Sequence, residues 1–344
     1  MTEKYLWKAI LNQNKIHDNP THLDKQRGKM MKKSTMLFNL FMYSSITLYA
    51  DTNTSGKVFY NYSINLDEER NNAFNMKRAY LTFANDVSET VSYKVIYDMG
   101  SNEGGSAHTA FLKVAMVKWN TSLGDVSIGM QGLNMFKTME NTWGHRFIQK
   151  MPMDTYGFSP SADLGIGITR GFGTISTSAL VTNGGGYKNL ESDSHKKFSF
   201  HAVYGEPKLN KNDGFNAGAS FSVEPYDVDS VTTANTNVMG TFAGYGGSGF
   251  RGGLEFDTKQ QNDITSQIIC AYGTYKISDK LSLLARLDQV DANISVNDDG
   301  IQAFIAGVHY GLEKGLTVAP TFRMTTLEGG ETENAIVVNF QFQF

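Results

Sequence analysis

The sequence predicts an all-β protein, a transmembrane antiparallel β-barrel of about 16 strands preceded by a signal peptide. Short runs in which apolar and polar residues alternate recur from residue 56 onward. The chain is rich in Gly (34), Phe (22) and Tyr (16). Yet after Ala50 it has no apolar run near the ~20 residues of a spanning helix. Hydrophobicity spread over every second residue is typical of a barrel that meets lipid on its outer face.

The final segment, 335–344, shows this alternation most clearly. Successive side chains on a strand point to opposite faces, and here one face is apolar while the other is largely polar. The apolar face carries Ile336, Val338, Phe340, Phe342 and Phe344. An edge strand of a soluble sheet would have the same pattern, so this segment alone leaves both interpretations open.

A secretory signal is predicted at 30–50. Lys32 and Lys33 form a positive n-region, 36–49 is mostly apolar, and Ala50 is a small residue at the expected cleavage position. This stretch is too short and too interrupted for a spanning helix. We therefore expect export and removal of the segment.

The mature protein is accordingly expected to begin at Asp51, with the barrel at 51–344. Residues 1–29 are polar and rich in Asn, Lys and His. They have no export character, and we interpret them as a non-native upstream extension, with translation starting at Met30 or Met31. A cytoplasmic leader before an internal anchor is the other interpretation, and the short apolar stretch disfavours it.

Composition excludes several functional classes. The chain has 31 Lys and Arg against 34 Asp and Glu, and residues 51–344 hold 23 against 31, a formal net charge of −8. This negative balance argues against nucleic acid as a partner. The single Cys270 excludes an internal disulfide. We expect no metal and no cofactor, since neither a Cys/His cluster nor a phosphate-binding loop is present.

Sixteen alternating runs follow one another in the mature chain, an even number as expected for a single-chain bacterial barrel. The predicted strands are 56–64, 75–85, 91–99, 110–122, 125–135, 164–171, 174–183, 196–205, 214–223, 237–245, 250–258, 265–277, 281–290, 303–312, 316–324 and 334–344.

The connections between these runs alternate in length, as outer loops and periplasmic turns do in outer-membrane barrels. Only 206–213, among the short turns, breaks the rule. The long connections are 65–74, 100–109, 136–163, 184–195, 224–236, 259–264, 291–302 and 325–333. A soluble sandwich has no reason to alternate in this way, so the connections favour the barrel.

Residue parity predicts the two faces of each strand. Leu164, Ile166 and Ile168 should face lipid, whereas the glycines between them should face the lumen. The inward set is mainly polar and small. A barrel of sixteen strands with such a lining is expected to hold an aqueous channel instead of a packed core.

Two pairs of motifs resemble a known family. Met76-Lys-Arg-Ala-Tyr-Leu-Thr-Phe83 followed by Tyr93-Lys-Val-Ile-Tyr-Asp98 resembles the opening hairpin of the phosphate-selective porin O/P family. Phe158-Ser-Pro-Ser-Ala-Asp-Leu-Gly-Ile-Gly167 and Ala179-Leu-Val-Thr-Asn-Gly-Gly-Gly186 resemble its strand pair after the constriction. The resemblance covers about 75–186.

This resemblance implies a sixteen-stranded outer-membrane porin, often a homotrimer, whose third loop folds inward. One departure concerns the basic residue that the family usually has just before the aspartate matching Asp163, because this chain has Ala162 there. No extended run of basic residues suggests an anion ladder either. We therefore do not carry phosphate selectivity over to this chain.

The longest connection, 136–163, is the predicted site of selectivity. It has 28 residues, and long loops in compact folds are usually functional. Charges at a constriction select ions, so its Lys137, Glu140, Arg146 and Lys150 are candidate constriction residues. Parity adds inward-facing wall charges: Arg78, Lys94, Asp98, Arg251, Glu255, Asp257, Arg286, Asp288 and Arg323. The simpler interpretation is that these wall charges pair with one another in a solvated lumen.

Three functions are compatible with such a barrel. A porin that admits small hydrophilic solutes or ions needs an open polar lumen, whereas a phospholipase-like enzyme needs a Ser/His pair at the barrel exterior. An adhesin or receptor needs long aromatic loops. His201 and His309 lack a nucleophile motif, and 136–163 is the only very long loop, so the sequence favours the porin. Expected partners are outer-membrane lipid, the permeating solutes and, through the strand ending at Phe344, the barrel-assembly machinery.

Overall fold

The computed structural model describes residues 52–67, 72–100 and 108–344. The predicted signal at 30–50 and the predicted extension at 1–29 lie outside the described residues. Sixteen strands form one closed sheet in which every strand pairs antiparallel with its neighbours in sequence. β1 pairs with β16 and closes the barrel. The predicted fold class and strand number are therefore confirmed. Within the described residues, no helix is long and apolar enough to cross a membrane.

The strands and helices have the following bounds. The strands are β1 Asn53–Asn65, β2 Asn72–Asp86, β3 Val91–Gly100, β4 Thr109–Thr121, β5 Gly124–Gly132, β6 Ala162–Phe172, β7 Ile175–Thr182, β8 Lys197–Gly205, β9 Gly214–Asp227, β10 Thr233–Gly247, β11 Phe250–Gln261, β12 Ile264–Lys276, β13 Leu281–Asp291, β14 Gly300–Glu313, β15 Leu316–Leu327 and β16 Thr332–Gln343. The helices are α1 Lys137–Trp143 and α2 Pro152–Thr155.

The end of the barrel that carries Phe344 and the connections after β2, β4, β6 and the later even strands is called the turn end here, and the opposite end is the loop end. Every predicted run coincides with a strand, but several strands extend further toward the loop end. β9 reaches Asp227 and β10 begins at Thr233, because the ladder continues to a hydrogen bond from Val228 N to Thr232 O of 2.8 Å. The predicted long loop at 259–264 is likewise only a tight turn, because β11 ends at Gln261 and β12 begins at Ile264.

Barrel closure depends on the final strand, as its alternation predicts. Ile336 and Phe342 are each 41% exposed on the outer face, while Val337 and Asn339 are buried on the inner face. Gly56 N donates to Phe344 O at 3.0 Å, and Phe344 N donates to Gly56 O at 3.1 Å. The last residue is thus hydrogen-bonded to the first strand.

The outward parity is confirmed elsewhere too, since Leu164 and Ile166 are 45% and 49% exposed. The expectation of a lumen without a packed core is wrong for one side. Phe242, Ile268 and Leu284 point inward and are at most 7% exposed. They belong to an apolar cluster inside the barrel, because the connection between β5 and β6, residues 133–161 and called loop L3 here, folds into the lumen and covers them.

Candidate functional site: the lumenal passage and its constriction loop

Loop L3 follows β5 and is held in shape by two short helices. α1 ends at Gly144, whose φ of 71° allows its N–H to reach Glu140 O. α2 begins with Pro152 at its first turn, where the missing N–H has no intrahelical partner to lose. Seven and four residues are too few for stable isolated helices, so tertiary contacts hold L3 in place.

Apolar packing places L3 against the strands from β8 to β15. Its apolar side chains are nearly all buried, and each contributes about 1.5–3 kcal/mol when fully removed from water. They are Met135, Phe136, Met139, Trp143, Phe147, Ile148, Met151, Met153 and Phe158. The inward wall residues in the same cluster are Val203, Val238, Phe242, Ile268, Cys270, Tyr272, Leu284, Val290, Ile305 and Ala319, together with Phe59 of β1, whose ring lies 6.1 Å from that of Phe147. This side of the lumen is therefore a packed core.

Three wall arginines bind L3 through its backbone. Arg286 Nη1 donates to Lys150 O at 2.8 Å, while its other nitrogens form two hydrogen bonds of 2.7 and 2.8 Å with Asp288. Arg323 Nη2 donates to Ile148 O at 2.6 Å. Arg251 Nη2 lies 3.4 Å from Trp143 O. The sequence predicted Arg251, Arg286 and Arg323 as lumen residues, and the structure places all three against the loop as anchors.

The charges of L3 form one ion-pair network. Arg146 bridges Glu140 and Asp154, with Nη2 2.9 Å from Asp154 Oδ2. Lys137 Nζ lies 2.6 Å from Glu140 Oε2, and Lys150 Nζ lies 3.0 Å from Asp154 Oδ1. Burial acts to raise the pKa of Glu140, but the charges of Arg146 and Lys137 outweigh burial and bring this pKa to about 2. The network thus stays ionised well into the acid range.

His145 follows α1 in L3 and lies next to β12 and β14 of the barrel wall. Its Nε2 is 3.1 Å from Thr274 Oγ1, and its ring centroid is 5.1 Å from that of His309. Burial lowers the pKa of His145 well below 6.5, and the neighbouring charge of Arg251 lowers it further. The imidazole is therefore neutral when L3 is seated.

The open part of the lumen lies on the other side of L3, along β1 to β4. A cavity of about 850 Å³ is bounded there by these strands, by L3 and by residues of the turn end. Its lining has six basic side chains and one acidic side chain. The basic ones are Lys57, Lys94, Lys113, Lys137, Arg146 and Lys314, and the acidic one is Glu140. The passage is therefore strongly positive.

A cluster around Asp98 lies on this wall. Asp98 is fully buried on β3, and its Oδ2 lies 2.5 Å from Arg78 Nη1 and 3.7 Å from Lys113 Nζ. The Tyr187 hydroxyl donates to the same oxygen at 2.7 Å. Lys113 Nζ also lies 5.1 Å from the ring centre of Tyr80, within cation–π range. One carboxylate thus holds both Lys113 of the passage and the neighbouring Arg78 in place.

Two β-bulges lie near this cluster, and one of them supplies Lys113. In the pairing of β1 with β2, Phe59 pairs with Arg78 and Tyr60 with Met76, so Lys77 is the extra residue. In the pairing of β3 with β4, Ile96 pairs with Val114 and Tyr97 with Leu112, so Lys113 is the extra residue. A bulge re-aims side chains, and the bulge on β4 brings Lys113 toward Asp98 and the cavity.

Sequence parity missed Lys113, because an inserted residue reverses the faces that strict alternation assigns. It also missed Tyr187, which reaches the cluster from the connection after β7. The basic side chains of the cavity come from different strands and loops, so they form no run in the sequence. Arg146 of L3 lies close enough to Lys113 for their charges to repel one another.

The acidic wall residues have the opposite placement. Glu255 and Asp257 on β11 are 3% and 0% exposed beneath L3. None of their four carboxylate oxygens has a hydrogen-bond partner among the described residues. Asp288 is also buried, paired with Arg286. These carboxylates are separated from the passage by the packed loop.

Asp163, the aspartate of the family motif, has a structural role. Its Oδ2 accepts a hydrogen bond from Gly184 N at 2.5 Å, and its Oδ1 accepts one from Leu164 N at 2.8 Å. Ala162 beside it borders the cavity. A basic residue at this position would therefore face the passage. Among the described residues, no group of His, Cys, Asp or Glu has an arrangement that could hold a metal ion.

Comparisons with known proteins agree with this architecture. OmpF of Salmonella typhi, solved with daunomycin, has 12% identity and a TM-score of 0.67, covering 85% of this chain and 97% of that chain. An anion-selective porin from Comamonas acidovorans has 12% identity and a TM-score of 0.64, covering 86% and 99%. The trimer form of in-vitro folded OmpT from Vibrio cholerae has 13% identity and a TM-score of 0.55, covering 86% and 99%.

At these identities the structural likenesses concern the fold. No match was found among curated protein sequences. The family model of phosphate-selective porins O and P matches residues 53–277, well over half of the 344 residues. The chain therefore belongs to the phosphate-selective porin O and P family and is an outer-membrane porin.

Proposed function

We propose that this porin is a passive, water-filled channel for small hydrophilic solutes and ions, with a preference for anions. The observation that carries the proposal is the charge of the passage, where six basic side chains face one acidic side chain. Charge lining a narrow pore sets its ion preference, and low-dielectric walls strengthen the local field. Of the acidic residues that make the net charge of the chain negative, Glu140 alone has its side chain in this lining.

The proposed route follows the β1 to β4 wall. Lys57 and Lys94 attract anions at the turn end. Lys113 and Arg146 face one another where L3 narrows the lumen, and Arg78 continues the positive surface beyond them. Tyr80 and Tyr187 supply hydroxyls beside these cations. An anion that leaves water there can exchange its hydration for charge-assisted hydrogen bonds.

We further propose that the chain is not an enzyme. The two histidines considered for catalysis face the lumen, away from the lipid that a phospholipase would attack. His201 Nε2 lies 2.9 Å from Thr138 Oγ1 of L3, and its ring stacks on Phe242. His309 packs against His145. Their contacts support a role in seating the loop.

Processing and assembly are proposed as follows. The signal at 30–50 is removed after Ala50, residues 1–29 precede the natural start, and the mature barrel begins at Asp51. The barrel-assembly machinery recognises the strand that ends at Phe344, lipid covers the apolar outer face, and three copies form a homotrimer. Amino-terminal sequencing of outer-membrane material and mass measurement of the native oligomer test these points, and recovery of residues 1–29 or of monomers alone would contradict them.

Reconstitution into planar bilayers tests the channel itself. We expect discrete ohmic current steps without any energy source. Added inorganic phosphate should reduce the chloride current, since both anions would use the same cationic wall. A purified, heat-modifiable protein that produces no current steps would overturn the proposal.

A further inference from the structure

The 206–213 connection is the one turn that departs from the short-turn pattern of its end of the barrel. It has eight residues, whereas the other described turns between consecutive strands at that end, 87–90, 122–123, 173–174, 248–249, 277–280 and 314–315, have at most four. It starts after Gly205, whose φ is 91°. A Cβ there would collide with Phe215 O, so only glycine lets the chain leave β8 in this direction.

The turn is internally ordered. Glu206 accepts hydrogen bonds from Lys208 N at 2.8 Å and from Asn212 Nδ2 at 3.0 Å. Lys211 N donates to Lys208 O at 2.8 Å. Asn216 Nδ2 on β9 donates to Glu206 O at 2.8 Å and ties the turn to the barrel wall. These bonds fix the direction in which the intervening side chains point.

Leu209 at its centre points into the lumen and is only 4% exposed. Apolar residues in the other turns of this end are open to the surroundings, with Val87 68%, Leu123 66% and Ile277 53% exposed. Leu209 lies against Gly244 and Gly246 on the inner face of β10. Leu209 therefore differs from these residues in that a pocket on the inner face covers it.

Helix α1 of L3 forms the rest of the Leu209 pocket. A Cβ on Gly244 would touch both Leu209 and Thr142 of α1, which places the leucine beside the helix. Asn141 Nδ2 of the same helix donates to Pro207 O at 3.4 Å. Asn141 and Asn210 also border the cavity. The turn thus meets α1 at the edge of the passage.

We propose that the 206–213 turn is a second lumenal element, which supports α1 from the turn end and thereby sets the width of the passage. Leu209 acts as a positioning residue, because it reaches the passage only through α1. A helix of seven residues without a side-chain N-cap needs such support. The inference depends on the proposed function in one respect, that the cavity is part of the conducting route.

Single-channel recording of Leu209→Asp tests the proposal. A carboxylate in an apolar pocket is strongly disfavoured, so α1 should leave its seat more often. We expect the frequency of current fluctuations to rise by about tenfold, which corresponds to about 1.4 kcal/mol. Leu209→Met should behave as the wild type. Leu123→Asp, in an exposed turn of the same end, is the matched control and should also leave the current unchanged.

Leu209→Ala removes most of the apolar contact without adding a charge. If Leu209→Asp fails to fold, the frequency of current fluctuations in Leu209→Ala tests the proposal instead. Heat-modifiable gel mobility identifies the folded fraction in each case. The inference is overturned if folded Leu209→Ala and Leu209→Asp conduct as steadily as Leu123→Asp. A wild type without current steps would instead count against the channel itself, so the two failures are distinguishable.

Discussion

Charged residues lie on both sides of the lumen wall, but those on one side border the open cavity whereas those on the other side are buried. On the β1 to β4 side, Lys57, Lys94 and Lys113 border an open cavity. On the β11 to β13 side, Glu255, Asp257 and Asp288 are at most 3% exposed beneath L3. The field in the passage therefore depends on which side chains the loop covers, and neither net charge nor residue parity contains that information.

Apolar packing decides which side is covered. Inward-facing Phe242, Ile268 and Leu284 give the β10 to β13 side a surface that must be removed from water, and the apolar residues of L3 match it. The arginines of that wall then bind the loop carbonyls. The proposed anion preference would therefore be a consequence of hydrophobic burial on the opposite side.

The largest effect is expected from breaking the seat of L3. Arg286→Met leaves Asp288 buried without its partner and frees Lys150 O, so the free energy of unfolding should fall by about 3–5 kcal/mol. The passage should also widen as the loop moves. Urea unfolding followed by gel mobility gives the first quantity, and single-channel conductance gives the second.

Arg170→Met is the control for this substitution. Arg170 is exposed and donates to Leu123 O at the turn end, far from the loop. It should leave both stability and conductance close to the wild-type values. Equal losses from the two substitutions would show that Arg286 has no special relation to L3.

A smaller effect of the opposite sign is expected from Asp257→Asn. This change removes a carboxylate that is buried without a partner, which should raise the free energy of unfolding by about 1–3 kcal/mol. The Asp279→Asn control changes a side chain that is 96% exposed and should leave stability unchanged. A destabilised Asp257→Asn protein would mean that the covered carboxylate makes a favourable interaction.

The sequence predicted the barrel well because its signal is local. Alternation along 335–344 or 164–168 reflects one lipid face and one inner face, and each run carries that information by itself. The strand ends were less predictable, since the ladder between β9 and β10 continues into polar residues such as Asp227. Polar residues mark the end of the apolar outer face, but the strand continues beyond them.

The candidate site was predicted only in part because it depends on distant contacts. Lys137, Glu140 and Arg146 do border the cavity, whereas Arg251, Arg286 and Arg323 anchor the loop. Which wall L3 covers depends on residues more than 100 positions away in sequence, as with Arg286 and Lys150. Single-residue bulges, which brought Lys113 inward, leave no mark in an alternating pattern.

The smallest effect concerns pH. His145 is neutral in its seat because its pKa is lowered well below 6.5, but it would bind a proton once the loop is displaced. The seated state therefore loses stability as the pH falls below 6.5. Glu140 still holds its ion pairs there, because its pKa is lowered from 4.5 to about 2.

Between pH 6.5 and 4.5, current fluctuations should therefore become more frequent as the pH falls. Arg251 and His309 face the imidazole and reinforce the effect. His145→Gln should weaken this pH response, whereas His195→Gln, at a partly buried histidine paired with Asp227, should retain it in full. The same pH response in the His145→Gln channel would contradict the assignment.

Reversal potentials of two matched double variants across a salt gradient show whether the uncovered basic side chains set the ion preference. At low ionic strength, where screening is weak, the wild type should have the sign of an anion-preferring channel. Lys57→Gln with Lys94→Gln removes two open-wall charges and should move the potential toward the cation side. Glu255→Gln with Asp257→Asn replaces two covered acidic side chains and should leave it unchanged. A cation-preferring wild type, or equal shifts in the two variants, would show that the uncovered basic wall does not set the ion preference.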